Sequence, residues 1–230
     1  MKGKYEFYID ISGTLKKTED DIFVGCILIN NHFITSFKEK FYNDFKSLRS
    51  FRKKGSYVHP DKLKEIMKFM DDNNIKRSVV VLKRYIIKKI KRDLEKKIRE
   101  LKKIKGNVQI KDFEERLIGL AYFRAIKEYA LKNFYYNCYC CMETQFNIQG
   151  CFVSIDRISH KEGYKLRVSA IPRRTEHMIK FADFCASAGR KLDSFILKSY
   201  KKMRYISYVP SEREIDVVFG LSRREKTKYR

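Results

Sequence analysis

Tyr5-Glu6-Phe7-Tyr8-Ile9-Asp10-Ile11-Ser12-Gly13-Thr14 is the stretch whose reading decides the fold. Apolar and aromatic residues run up to a carboxylate, and Ser12-Gly13 then breaks the run, which predicts a buried first strand that delivers Asp10 to its C-terminal edge. Cys151-Phe152-Val153-Ser154-Ile155-Asp156 reads as a second strand ending in an acid. A third acid sits in the apolar helical run Phe181-Ala182-Asp183-Phe184-Cys185-Ala186. Acids set among apolar neighbours are costly unless paired or metal-bound, so the three together point to a site. Each alone also reads as structural. Asp before Ser-Gly is a common turn former, Asp156 has basic residues near it to pair with, and Asp183 would serve as a cap or an ion-pair partner.

The chain of 230 residues suits one domain and is long enough for a sizeable core. Hydrophobic residues make up 43% and aromatics 14%, which excludes a disordered chain. The formal net charge is +24, from 52 basic against 28 acidic residues. That excess predicts a polyanionic partner, nucleic acid first, with a membrane surface or an acidic protein second. Adaptation to heat enriches both signs of charge and does not account for the excess. No signal peptide is recognisable in Met1-Lys2-Gly3-Lys4 and the strand beyond it, and no apolar run approaches a membrane span. The expected location is therefore cytoplasmic, with no membrane partner, and the six cysteines are expected reduced.

Taken in order, Ile22 to Ile29 is a strongly apolar second strand. His32 to Phe41 places Phe33, Thr35, Phe37, Glu39 and Phe41 in step and predicts a third strand, completing an antiparallel meander. Ser47 to Tyr57 is basic and aperiodic, a loop. His59-Pro60-Asp61 opens a helix with Leu63, Ile66, Met67 and Met70 at helical spacing. Ser78 to Leu82 suits a buried strand parallel to the first. Lys83 to Lys105 holds twelve Lys/Arg against three acids, over an apolar seam at spacings of three and four. It predicts a long amphipathic helix with a basic face, and a second helix from about Lys111 to Lys132 makes it a helical hairpin. The one-sided charge favours nucleic-acid contact through Lys88, Lys89, Lys91, Arg92, Lys96 and Lys97, with Arg173 and Arg174 adding to it. Asn133 to Gln149 reads as an aromatic strand or a packed loop, and Lys165 to Ile171 as a strand. A helix comes next, carrying Asp183 to about Tyr200. The simplest organisation is a single domain over 1–230, with a helical hairpin inserted at about 85–133 and a basic tail at about 222–230.

This order of elements resembles a ribonuclease H-like α/β fold: a mixed sheet of antiparallel meander plus parallel strands, flanked by helices, here with the basic hairpin. Phe7-Tyr8-Ile9-Asp10-Ile11-Ser12-Gly13, followed by Phe23-Val24-Gly25-Cys26-Ile27-Leu28-Ile29, resembles the opening of the DUF3800-type uncharacterised proteins. The helix Ile179-Lys180-Phe181-Ala182-Asp183-Phe184-Cys185-Ala186-Ser187-Ala188 is similar to that family's Ala-Asp-Phe helix. Two departures stand out: Ile11 replaces the usual second acid, and the strand Ser78–Leu82 runs into Lys83-Arg84 with no carboxylate.

The resemblance implies a nuclease-like metal site with Asp10, Asp156 and Asp183 as ligands and Mg²⁺ or Mn²⁺ as the ion, cleaving phosphodiesters in RNA, DNA or a hybrid. A non-catalytic nucleic-acid-binding protein with a degenerate site is the alternative. Two carboxylates about 4 Å apart repel by roughly 4 kcal/mol at an effective dielectric near 20, so converging acids call for a proton or a cation between them. Oxygen-only donors select Mg²⁺ or Mn²⁺ over zinc. A fourth acid is sought among Glu65, Glu114 and Glu115, with Glu115 preferred because Phe113, Leu117 and Leu120 turn its face inward. Cys138 and Cys141 have zinc-knuckle spacing without a second knuckle, so buried reduced thiols are expected. Ser12 has no histidine nearby in sequence, which leaves a serine nucleophile unsupported, and the lack of a Gly-rich phosphate loop argues against a nucleotide-driven motor.

Overall fold

The computed structural model describes residues 5–12, 20–48, 55–103, 106, 110–142, 148–172 and 178–221. Six strands form one sheet: β1 Tyr5–Ser12, β2 Ile22–Asn30, β3 Lys76–Leu82, β4 Tyr135–Met142, β5 Lys165–Pro172 and β6 Met203–Ser207. Their order is β5-β4-β1-β2-β3-β6. β1, β2 and β3 are antiparallel neighbours, β4 lies parallel to β1, β5 parallel to β4, and β6 parallel to β3. This is the mixed sheet the sequence predicts, an antiparallel meander with two parallel strands added beside the first, here extended by β6.

Eight α-helices are described: α1 Ile34–Asp44, α2 Pro60–Asp72, α3 Arg84–Lys102, α4 Phe113–Lys127, α5 Ile148–Glu162, α6 Ile179–Lys191, α7 Ser194–Ser199 and α8 Glu212–Phe219. They cover both faces of the sheet. Phe7, Ile9, Val24, Cys26, Val80 and Cys138 pack against α3, α4, α5 and α8. Tyr8, Ile27, Ile29, Val79 and Val81 pack against α1, α2, α6 and α7. Burial on both faces explains why β2 reads as a continuous apolar run rather than an alternating one.

Three expectations are corrected. Residues 32–41 form a short 3-10 turn and α1 instead of a strand. The phenylalanines recur every fourth residue, a spacing that satisfies period 2 as well as the helical period. Thr35 and Glu39 between them are exposed, as a helix requires and a half-buried strand forbids. Cys151–Ile158 belongs to α5, not to a strand: Cys151, Ser154, Ile155 and Ile158 are buried at helical spacing while Asp156 and Arg157 are exposed. The parallel neighbour of β1 is instead β4, from the aromatic stretch whose sequence suits strand and loop alike. β3 runs in the direction of β1, as expected, but pairs with β2 and β6.

The segment expected as an inserted hairpin, 85–133, divides in its packing. α4 lies on β2 and β3 and is buried along most of its length, so it is core. α3 is the peripheral member, buried only at Arg84, Ile86, Ile87 and Leu94. Gly119 on α4 makes the contact with α5 close: a Cβ there would stand 2.5 Å from the carbonyl oxygen of Cys151. No helix among the described residues is long and apolar enough to cross a membrane.

Candidate functional site

Asp10 is placed by register. Side chains alternate along a strand; Phe7 and Ile9 face α4, Tyr8 faces α6, and Asp10 therefore points to the α6 side. Its partner across β2 is Gly25. That glycine is required: a Cβ would stand 2.1 Å from the Ala182 carbonyl oxygen and 2.4 Å from the Ala186 amide nitrogen. α6 rests directly on β2 there, and Asp183 is the next residue after Ala182. Asp10 and Asp183, distant in sequence, thus lie on elements that pack against each other, exposed by only 1% and 4%.

Both carboxylates are held from the backbone. Asp10 Oδ1 accepts from the Ile11 amide at 2.8 Å. Asp183 Oδ2 accepts from the Gly55 amide at 2.7 Å. α6 lies so deep because, Lys180 and Asp183 apart, its residues up to Gly189 are apolar or small; residues 178–189 are all buried. Burial pushes the Cys185 thiol up to about 12, and the negative charge of Asp183 adds to it.

Glu115 stands in the first turn of α4, partly buried, on the opposite layer. Its carbonyl accepts from the Cys151 thiol at 3.0 Å. Burial raises that thiol, as do Cys140 and the Glu115 carboxylate. Cys140 is raised by burial, by its neighbours Cys138 and Cys141, and by Asp10. Asp10 and Glu115, on opposite sides of the sheet, thus each act on a different buried thiol, Cys140 and Cys151. Of the other acids considered, Glu114 is paired with Arg84 at 3.0 Å, and Glu65 with Lys62 on the exposed face of α2.

Asp156 does not join them. It is exposed on α5, whose buried side packs in the α4 layer, across the sheet from Asp183. Among the described residues no three His, Cys, Asp or Glu side chains are grouped to hold a metal ion. The donor chemistry of the Asp10–Asp183 pair nevertheless suits a hard cation, because Mg²⁺ keeps several waters and is bound through one or two carboxylates plus substrate phosphate. All six cysteines are buried and free, as expected.

The basic surface of α3 resolves into two sets. At 100° per residue, Lys88, Lys91 and Arg92 fall on the outward side, with Arg99 and Lys102, and all five are exposed. Lys89, Lys96 and Lys97 instead line a groove of about 720 Å³ between α3 and α8, beside Asp93, Glu100, Glu212 and Asp216. Lys97 is already committed, 2.6 Å from Asp216 and 2.9 Å from Glu212. Arg173 and Arg174 lie outside the described residues.

Sequence reasoning missed the short turn Gly55–Tyr57, which sits on α6 at Asp183. Its signal was the glycine closing a basic aperiodic stretch, a residue type kept where two backbones approach closely. No family model matches the chain, and no curated protein matches it. Among solved structures it is similar to the ribonuclease H2 from Pyrococcus horikoshii OT3, at 12% identity and a TM-score of 0.46, over 92% of this chain and 83% of that one.

Proposed function

We propose that the protein is a divalent-metal-dependent nuclease-like protein that cleaves phosphodiester bonds in RNA, DNA or a hybrid. What supports this reading is the placement of Asp10 and Asp183, two buried carboxylates from distant parts of the chain, on β1 and α6, which pack against each other. They would hold Mg²⁺ or Mn²⁺. The chemistry such an ion supplies is activation of a water and stabilisation of the leaving oxygen. The chain's own contribution is orientation: the Ile11 and Gly55 amides fix the two carboxylates, and the apolar walls of β1, β2 and α6 limit water around them. Lys88, Lys91 and Arg92 on α3 supply charge for phosphate contact without base preference. Six buried free thiols suit a reducing, cytoplasmic setting.

A second reading, a nucleic-acid-binding protein without cleavage, is favoured by the lack of a three-donor group among the described residues. One experiment separates the two. Wild type, Asp10→Asn and Asp183→Asn are incubated with labelled single- and double-stranded RNA and DNA in Mg²⁺ or Mn²⁺, and each is melted with and without the ion. The nuclease reading expects cleavage by wild type alone, retained binding in both variants, and an ion-dependent rise in melting temperature that the variants lose. Binding without cleavage, with equal melting temperatures in ion and chelator, would establish the second reading instead.

A further inference from the structure

The turn Gly55–Tyr57 is fastened to α6 from both sides of Tyr57. Gly55 is buried and gives its amide to Asp183; a Cβ on it would stand 2.6 Å from Ser187 Oγ and 2.8 Å from the Asp183 carbonyl oxygen. Lys191 Nζ then donates to the carbonyls of Ser56 at 2.6 Å and Val58 at 2.7 Å, and Val58 is buried. Between these anchors Tyr57 is 80% exposed. Its ring makes no ring or cation contact among the described residues. A large aromatic is thus presented to solvent on a fixed backbone, two residues and at most about 7 Å of chain from the amide that Asp183 holds.

We propose that Tyr57 is a base-stacking residue and that the ligand of this site is a single-stranded nucleic acid. Resting on the nuclease reading for its location, the inference adds the strand state of the substrate and a residue that positions it. A base in a duplex has both faces covered by its neighbours, whereas an unpaired base offers a π-face to an aromatic side chain whatever its sequence. The ring costs little to order on binding because the backbone beneath it is already fixed by Asp183 and Lys191.

The test is fluorescence anisotropy of a labelled single-stranded oligonucleotide, and of the same strand in a duplex, in chelator so that cleavage plays no part. Tyr57→Ala is expected to weaken single-strand binding roughly 5- to 150-fold, to leave duplex binding unchanged, and to leave the melting temperature at the wild-type value because the ring is exposed. Tyr57→Phe, which keeps the stacking face, should bind within about twofold of wild type. Equal losses on single strand and duplex, or no loss in Tyr57→Ala, would overturn the proposal. The nuclease reading fails separately: single-strand binding that depends on Tyr57, with no Asp10-dependent cleavage in any divalent ion, sinks the nuclease and leaves the stacking site standing. Cleavage that depends on Asp10 but not on Tyr57 does the reverse.

Discussion

Gly25→Ala tests whether α6 rests on the sheet as closely as the site requires. The added carbon would stand 2.1 Å from the Ala182 carbonyl oxygen, 2.4 Å from the Ala186 amide nitrogen and 3.1 Å from the Ala186 Cα. All three are backbone atoms, so no side chain can rotate out of the way. A carbon–oxygen contact relaxes at about 3.3 Å, so α6 must withdraw by about 1.2 Å. A gap of that size forfeits about half of the dispersion energy along the interface. Phe181, Ala182, Phe184, Cys185 and Ala188 all pack there. The expected loss is at the upper end for overpacked cores, about 3 kcal/mol, which for a chain of this length lowers the melting temperature by roughly 6–12 °C. Urea denaturation of wild type and variant gives the free-energy difference directly, with an unchanged slope confirming that the same surface is exposed. A loss below about 0.5 kcal/mol, the range of ordinary surface changes, would mean that α6 does not touch β2 and would separate Asp183 from Asp10.

Two further outcomes rest on charges the fold has already committed. Arg77 has no exposed surface and bonds Asp71 Oδ1 at 3.1 Å, Met67 O and Ile75 O. Burial opposes ionisation of Asp71, but the Lys202 amide, Arg77 and the Lys201 amide outweigh it and hold the carboxyl below its usual value. A folded pKa below the unfolded one stabilises fully above about pH 4 and is lost as pH falls through the folded value. Asp71→Asn should therefore cost about 3 kcal/mol at pH 7, a cost that shrinks as pH falls below about 4, measured by denaturation across an acid pH series; a cost that does not change with pH would refute the pairing. On α3, neutralising Lys88, Lys91 and Arg92 should reduce the log–log salt slope of nucleic-acid binding by about 0.7–0.9 for each phosphate no longer neutralised. Lys97→Met should leave the slope unchanged and instead loosen α3 from α8; a slope change for Lys97 equal to that for Lys88 would overturn the division of the helix into two sets.

The sheet is largely legible in the sequence because its central strands have no competing pattern. β1, β2, β3 and β5 are runs too apolar or too regularly alternating for helices, and the apolar run of β1 alone places Asp10 near its end. Asp183 is legible for a different reason: an acid inside an otherwise apolar helix must face something that tolerates it. The errors arise where two periods coincide or a strand lacks a carboxylate. Phe33, Phe37 and Phe41 fit both periods, and only the exposed Thr35 and Glu39 between them choose the helix. Cys151–Asp156 imitates the strand beside β1 because it ends in an acid. The strand that pairs there, β4, ends its described residues at Met142, with its polar Asn137 only half-buried amid cysteines and tyrosines. Asp156 thereby takes on a role that belongs to the position beside Asp10, and the structure leaves it exposed on α5. The Gly55–Tyr57 turn shows in the sequence only through its glycine, since its partner is α6, more than a hundred residues later.

The pairing of β1 with β4 has a kinetic consequence. β1 acquires β2 as a neighbour across a short connection, but its other edge waits for Tyr135–Met142, and its α6 side waits for Ile179–Lys191. Closing such long loops is entropically slow. During that interval Glu6–Ile9 present unpaired backbone groups along an apolar strand, a template for pairing with another chain. Asp10 spends the same interval in water, ionised and harmless, and becomes a buried carboxylate only when α6 docks. The acid pair cannot be complete before α6 has docked, so a partly folded chain carries the hazard of the open strand edge without the finished site.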